Sequence, residues 1–148
     1  MSCESALDRA LAARAALLAD LQTTACRIFH GRADGIDGLV LEKLGDVLIA
    51  QLHEEQLALD EGAARELCVQ AMARLGARAV YRKVFPKDRS AAAARLAGQH
   101  ADATPWIGTA VEPEFAVLEH GLRYLVRAYD GYSTGLFLEH RANRQRLR

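Results

Sequence analysis

Residues 39–53 constrain the fold most. Two apolar runs, Leu39 to Leu44 and Val47 to His53, are separated only by Gly45-Asp46. Gly accepts a positive φ at no steric cost, so two such residues reverse the chain tightly and the flanking runs pair as an antiparallel hairpin. A sheet is therefore obligatory, and the rest of the chain has to cover it.

The remaining punctuation supplies the cover. Cys26 to His30 reads as a strand, followed by a loop from Gly31 to Gly38 that contains Asp34-Gly35 and Asp37-Gly38. Residues 60–75 predict a helix: Asp60 and Glu61 place acids at its first turn, Leu67, Ala71, Met72 and Leu75 mark a face, and Gly76 stops it. Ala79 to Val84 reads as another strand. A loop from Phe85 to Arg89, a cap at Ser90 and an Ala-rich helix over 91–97 follow, then an irregular stretch over 98–113 anchored by Trp106. Phe115 to Glu119 and Leu122 to Ala128 flank His120-Gly121 as a second hairpin. Tyr129 to Gly135 is a loop, Leu136 to Glu139 is extended, and a basic helix starts at Arg141. At the other end, residues 4–22 predict one helix with Ser5 as its cap, Leu7, Leu11, Leu18 and Leu21 on its stripe, and Asp8, Arg9, Arg14 and Asp20 off it. Strands mixed with helices, joined mostly by hairpins, predict an α+β domain with a mixed or antiparallel sheet and helices on one face.

Size and charge narrow the function. The chain has 148 residues, the length of one domain, and 19 basic against 19 acidic residues. Zero formal charge excludes a basic nucleic-acid coat but not a local basic patch. Met1-Ser2-Cys3-Glu4 lacks the basic-then-apolar pattern of a signal peptide, and no apolar run approaches the roughly 20 residues that span a bilayer, which reads as a soluble cytoplasmic chain with no membrane partner. Cys3, Cys26 and Cys68 show no CxxC spacing and read as small buried or neutral thiols. His30, His53, His100, His120 and His140 are scattered, with no metal-ligand spacing, so no metal is expected. No G-x-G-x-x-G follows a strand, and neither a Walker loop nor a G-x-S-x-G elbow occurs. The sequence contains no self-contained nucleotide site and no assignable catalytic residue.

Two segments carry a resemblance. One runs His30-Gly31-Arg32-Ala33-Asp34-Gly35-Ile36-Asp37-Gly38-Leu39-Val40-Leu41-Glu42 and continues to Asp46. The other comprises Glu119-His120-Gly121-Leu122-Arg123-Tyr124 and then Asp130 to Arg144, including Thr134-Gly135-Leu136-Phe137-Leu138-Glu139-His140-Arg141-Ala142-Asn143-Arg144. Together they resemble the middle region of class I S-adenosylmethionine-dependent ribosomal RNA large-subunit methyltransferases of the cytosine-C5 and guanine-N7 types. In that family a G-x-x-D-G-x-x-G-L-V segment opens an RRM-like α+β domain. An E-x-G-x-x-[FY] hairpin and a T-G-x-F-L-D-Q-R-x-x-R segment close it and lead into the Rossmann-like methyltransferase domain. This chain has Glu139-His140 where the family has Asp-Gln, and Ser133 where a Lys is common.

The resemblance implies an N-terminal helix over 1–24, an accessory domain over 25–128 and a connecting segment over 129–148. It implies S-adenosylmethionine as cofactor and ribosomal RNA as partner, with Thr134, Phe137 and Arg141 toward the cofactor and Arg141, Arg144 and Arg146 toward RNA. Arg141 and Arg144 are three apart, hence on one helical face, and suit a phosphate or carboxylate. Phe137 offers a stacking face, or else fills the core. The glycine-rich cofactor loop and the nucleophilic cysteine of the C5 enzymes are expected beyond Arg148, because none of the three cysteines here matches that position. The final helix ends without a cap, as a helix cut at its start would. Residues 129–148 are then expected to be exposed, with Phe137, Leu138 and Leu147 short of apolar cover, either fraying or docking on a second copy in a homodimer. The alternatives are a free-standing RRM-like RNA-binding module and a structural dimerisation domain. The first is weakened by only 6% aromatic residues and the absence of an RNP signature.

Overall fold

A computed structural model describes residues 3–86, 98 and 100–147. The loop from Lys87 to Arg89, the Ser90 cap, the 91–97 helix and Arg148 lie outside the described residues.

The chain forms α1 (Cys3–Ala13), α2 (Ala15–Ala19), β1 (Ala25–His30), β2 (Leu39–Leu44), β3 (Val47–His53), α3 (Glu61–Leu75), β4 (Ala79–Phe85), β5 (Ile107–Gly108), β6 (Phe115–Glu119), β7 (Leu122–Val126) and α4 (Arg141–Arg146). Five strands make one mixed sheet in the order β1-β2-β3-β4-β5. The β3–β4 pair is parallel and is joined through α3, whereas the other pairs are antiparallel. The hairpin register closes on Leu44 opposite Val47, as Gly45-Asp46 requires. Asp60 caps α3 by accepting from Ala63 N–H at 2.8 Å, and Gly76 ends it in the left-handed region at φ 61°.

One face of the sheet packs on α1 and α3 around Leu7, Ile28, Phe29, Leu41, Leu48 and Leu67, all fully buried. A bulge between Arg27 and Phe29 lets the consecutive Ile28 and Phe29 both be buried. The opposite face is covered toward the starts of β3 and β4. There Val47, Ile49, Ala79 and Tyr81 meet Val117 and Val126 of the β6–β7 hairpin together with Leu136 and Leu138.

Several expectations are corrected. The β6–β7 hairpin does not join the main sheet; it forms its own two-stranded sheet laid across the second face, tied on where Leu118 N–H donates to Thr24 Oγ1 at 2.9 Å and His120 N–H to Thr23 Oγ1 at 3.2 Å. The single helix over 4–22 is two helices broken at Arg14. Its guanidinium forks onto Asp34 at 3.0 and 2.7 Å and donates to the Arg27 carbonyl, so a tertiary demand overrides helix propensity. Leu21, placed on the apolar stripe, lies past that break and is 83% exposed. The stretch over 98–113 contains a short strand, and β7 ends at Val126 because Arg127 N–H turns to the Thr134 carbonyl at 3.0 Å. Residues 136–139 are likewise not a strand; Leu138–His140 form a 3-10 turn.

Candidate functional site

Side chains alternate across a strand, so Glu42 of β2, Gln51 of β3 and Lys83 of β4 share the second face with Val47 and Tyr81. They lie beyond the part that the β6–β7 hairpin covers. Lys83 is only 1% exposed, and its Nζ donates to the carbonyls of Gly131 at 2.7 Å and Tyr132 at 3.2 Å. That pair of bonds pins the loop after β7 over the sheet. Between loop and sheet is a cavity of about 250 Å³ lined by Arg27, Glu42, Gln51, Phe85, Tyr132 to Thr134, Leu136, Phe137 and Glu139. Arg27 donates from Nε at 3.2 Å and from Nη2 at 2.7 Å to Oε1 of the buried Glu42, and its Nη2 also lies 3.5 Å from Glu139.

Burial pushes the Lys83 ammonium from its ordinary 10.5 down to about 8, with Glu42 opposing the shift. A folded pKa below the unfolded one means that the unfolded state holds the extra proton between pH 8 and 10.5. The stability that Lys83 contributes therefore rises across that window and is flat below it. Urea denaturation of the native chain and Lys83→Met from pH 7.5 to 10.5 is expected to show the native chain gaining on the variant, by at most about 1.4 kcal/mol per pH unit. A constant difference would contradict the shift.

The second cluster joins the two halves of the C-terminal motif. Glu119 is 1% exposed, and both its oxygens accept from Arg144, at 2.8 Å each. Arg141 Nε lies 3.5 Å from Glu119, and its Nη2 donates to the Ala25 carbonyl. Arg144 also donates to the Phe137 carbonyl at 2.8 Å and sits over the Tyr124 ring. The two arginines keep the Glu119 carboxyl below its ordinary range, chiefly through the Arg144 hydrogen bonds and against the opposing effect of burial.

The predicted site residues thus fall in different settings. Thr134 is buried behind the cavity wall. Phe137 is 55% exposed and lines the cavity, rather than filling the core. Arg141 and Arg144 share a face, as their spacing predicts, and that face is turned onto Glu119, while Arg146 is exposed. Most of residues 129–147 are exposed, as expected, with Tyr132, Phe137 and Leu147 (88%) among them. The correction is Leu138, expected to lack apolar cover: it enters the second core with Leu136, while the arginines anchor α4. Sequence reasoning missed Arg27, Glu42, Gln51 and Lys83. The available signal was parity, since Glu42 and Lys83 fall on the same face of their strands as Leu44 and Tyr81, which are buried.

No family model matches the chain. It is 27% identical over 145 residues to YwbD of Bacillus subtilis, provisionally named a ribosomal RNA large subunit methyltransferase, covering 97% of this chain and 34% of that protein. A ribosomal RNA large subunit methyltransferase of Deinococcus radiodurans is 32% identical over 151 residues, covering 95% of this chain and 34% of the relative. Ribosomal RNA large subunit methyltransferase I of Erwinia tasmaniensis is 30% identical over 125 residues, covering 82% and 29%. Among solved structures, SMU.776, provisionally described as a methyltransferase and complexed with SAH, superposes with a TM-score of 0.74 at 20% identity, over 99% of this chain and 35% of that one. That likeness is one of fold. The relatives of this chain are ribosomal RNA large subunit methyltransferases, and the chain spans about a third of their length. Among the described residues no helix is long and apolar enough to cross a membrane, and no cluster of His, Cys, Asp or Glu could hold a metal ion.

Proposed function

We propose that this chain is the accessory, RNA-positioning part of an S-adenosylmethionine-dependent ribosomal RNA methyltransferase of the cytosine-C5 or guanine-N7 type. The observation that supports the reading is coverage: nearly all of this chain aligns with about a third of each relative, and its sequence holds no glycine-rich cofactor loop. In this reading the RRM-like domain presents the second face of its sheet to the RNA. The T-G-x-F segment forms one wall of the cofactor site, with Phe137 as its exposed face, Thr134 setting the loop behind it and Arg141 locking α4 in place. Arg146 meets RNA phosphate. Arg144 contributes by holding Glu119, because its guanidinium is already engaged. The methyltransferase domain itself would act in cis.

The chain by itself is then catalytically silent but retards large-subunit ribosomal RNA in a gel. Incubation with that RNA and radiolabelled S-adenosylmethionine is expected to give no methyl transfer above a no-protein control. Transfer by these 148 residues alone would overturn the accessory role.

A further inference from the structure

We infer that the cavity between the ends of β3 and β4 and the loop after β7 is a pocket for a single unstacked RNA base, read by Gln51 together with the Arg27–Glu42 pair. This rests on the RNA-positioning reading above and assigns it a place and a substrate chemistry.

Size comes first. At about 250 Å³ the cavity is smaller than the roughly 300–1,000 Å³ that a drug-sized ligand occupies, so it takes one heterocycle rather than a whole nucleoside cofactor. Charge comes second. Among the described residues Arg27 is the one cation in the lining and is outweighed by Glu42 and Glu139, both of which it contacts, so the cavity has no net attraction for a phosphate. It presents donors and acceptors instead. Both bonds from Arg27 fall on Oε1 of Glu42, which leaves Glu42 Oε2 and Arg27 Nη1 available in the wall. Gln51, which can both donate and accept, makes no side-chain bond among the described residues. Base edges carry that mixture of donors and acceptors.

Shape comes third. Phe85, Tyr132 and Phe137 all border the cavity, and Phe85 lies 5.2 Å from Tyr132 between ring centroids. Single-stranded RNA is recognised by stacking splayed bases on aromatic rings while side chains read their edges. The strand has room to continue. Across Val40, which pairs with Gln51, an open hollow of about 320 Å³ lies between His30 and His53, and His53 stacks on Phe85 at 4.9 Å. Duplex RNA cannot enter, because its bases stay stacked in the helix with their Watson–Crick edges already paired.

The test uses the whole chain with fluorescent nine-nucleotide homopolymers of A, C, G and U, a matched duplex, and S-adenosylhomocysteine. The native chain is expected to favour single strands over duplex and to prefer one base by about tenfold. Gln51→Leu, which keeps the size of the side chain, is expected to abolish that preference. Phe137→Ala, at an exposed position where the fold is not at stake, is expected to weaken every homopolymer by about tenfold. In 15N spectra the preferred homopolymer should shift the Gln51 side-chain amide. Equal affinities for native chain and Gln51→Leu, equal binding of duplex, or a Gln51 amide that answers to S-adenosylhomocysteine and not to RNA would each overturn the pocket. In those outcomes RNA binding persists and the accessory reading stands, whereas absence of binding to any RNA overturns both.

Discussion

Glu119→Ala is expected to lower the unfolding free energy by about 3–5 kcal/mol, because it leaves two guanidinium groups without the buried carboxylate that both contact. The loss should propagate. Arg144 bridges Glu119 to the Phe137 carbonyl, and Arg141 bridges Glu119 to Ala25 of β1, so the link between β6, α4 and the main sheet fails together. Proteolysis should then cut between residues 129 and 147 faster than in the native chain. Glu119→Gln keeps the shape and removes the charge. Its deficit relative to the native chain should be full above pH 4.5, the ordinary carboxyl value, and shrink as pH falls below it, because the unfolded chain's carboxyl takes up a proton there while the native one, held low by Arg144, does not. Urea midpoints across pH 3–7 measure both. A Glu119→Ala chain as stable as the native one would show that α4 is held by something other than this cluster.

Gly38→Ala is expected to cost about 4 kcal/mol or more, among the largest effects a single methyl can have. Gly38 has φ +76°, and a Cβ there would lie 2.3 Å from the backbone nitrogen of Leu57, with the Gln56 carbonyl carbon equally crowded. Backbone cannot swing aside as a side chain can. The Gly38 carbonyl also accepts from His53 N–H at 2.9 Å, so moving it breaks the end of the β2–β3 hairpin. Gly131→Ala is the control: its φ is +79°, but nothing lies within 4 Å of the added Cβ, so only the left-handed penalty of about 1–2 kcal/mol applies. Denaturation midpoints of the two variants separate steric crowding from backbone strain. Equal losses would mean that the approach of Leu57 is not a constraint.

What could be read from sequence was what neighbours in sequence decide. The β2–β3 hairpin follows from Gly45-Asp46 between apolar runs, and α3 from Asp60 and Gly76. The His120-Gly121 turn follows in the same way; both residues have positive φ, 50° and 78°, as a tight hairpin demands. The rest depends on contacts between distant residues. The break at Arg14 is made by Asp34, 20 positions away, and β5 is two residues that become a strand only beside β4. The β6–β7 hairpin looks like any hairpin, and nothing within it says that it will cross the sheet rather than extend it.

The site was legible in the same uneven way. Spacing put Arg141 and Arg144 on one face, and the T-G-x-F segment drew attention to Phe137. The partner of both arginines was already present in the E-x-G-x-x-Y segment as Glu119, but a separation of 25 residues from Arg144 gives no local sign of pairing. The polar groups of the second sheet face sit on three different strands and meet only through sheet register. Glu42, Gln51 and Lys83 become neighbours because β2 pairs with β3 and β3 with β4.

The central claim is that these residues position ribosomal RNA. The direct measurement is the equilibrium affinity of the chain for large-subunit ribosomal RNA from 50 to 200 mM salt, beside Arg146→Ala. The account predicts measurable binding whose logarithm falls linearly with the logarithm of salt, with a shallower slope for the variant because one phosphate contact is gone. No binding at 50 mM salt, or binding indifferent to both salt and Arg146, would contradict it.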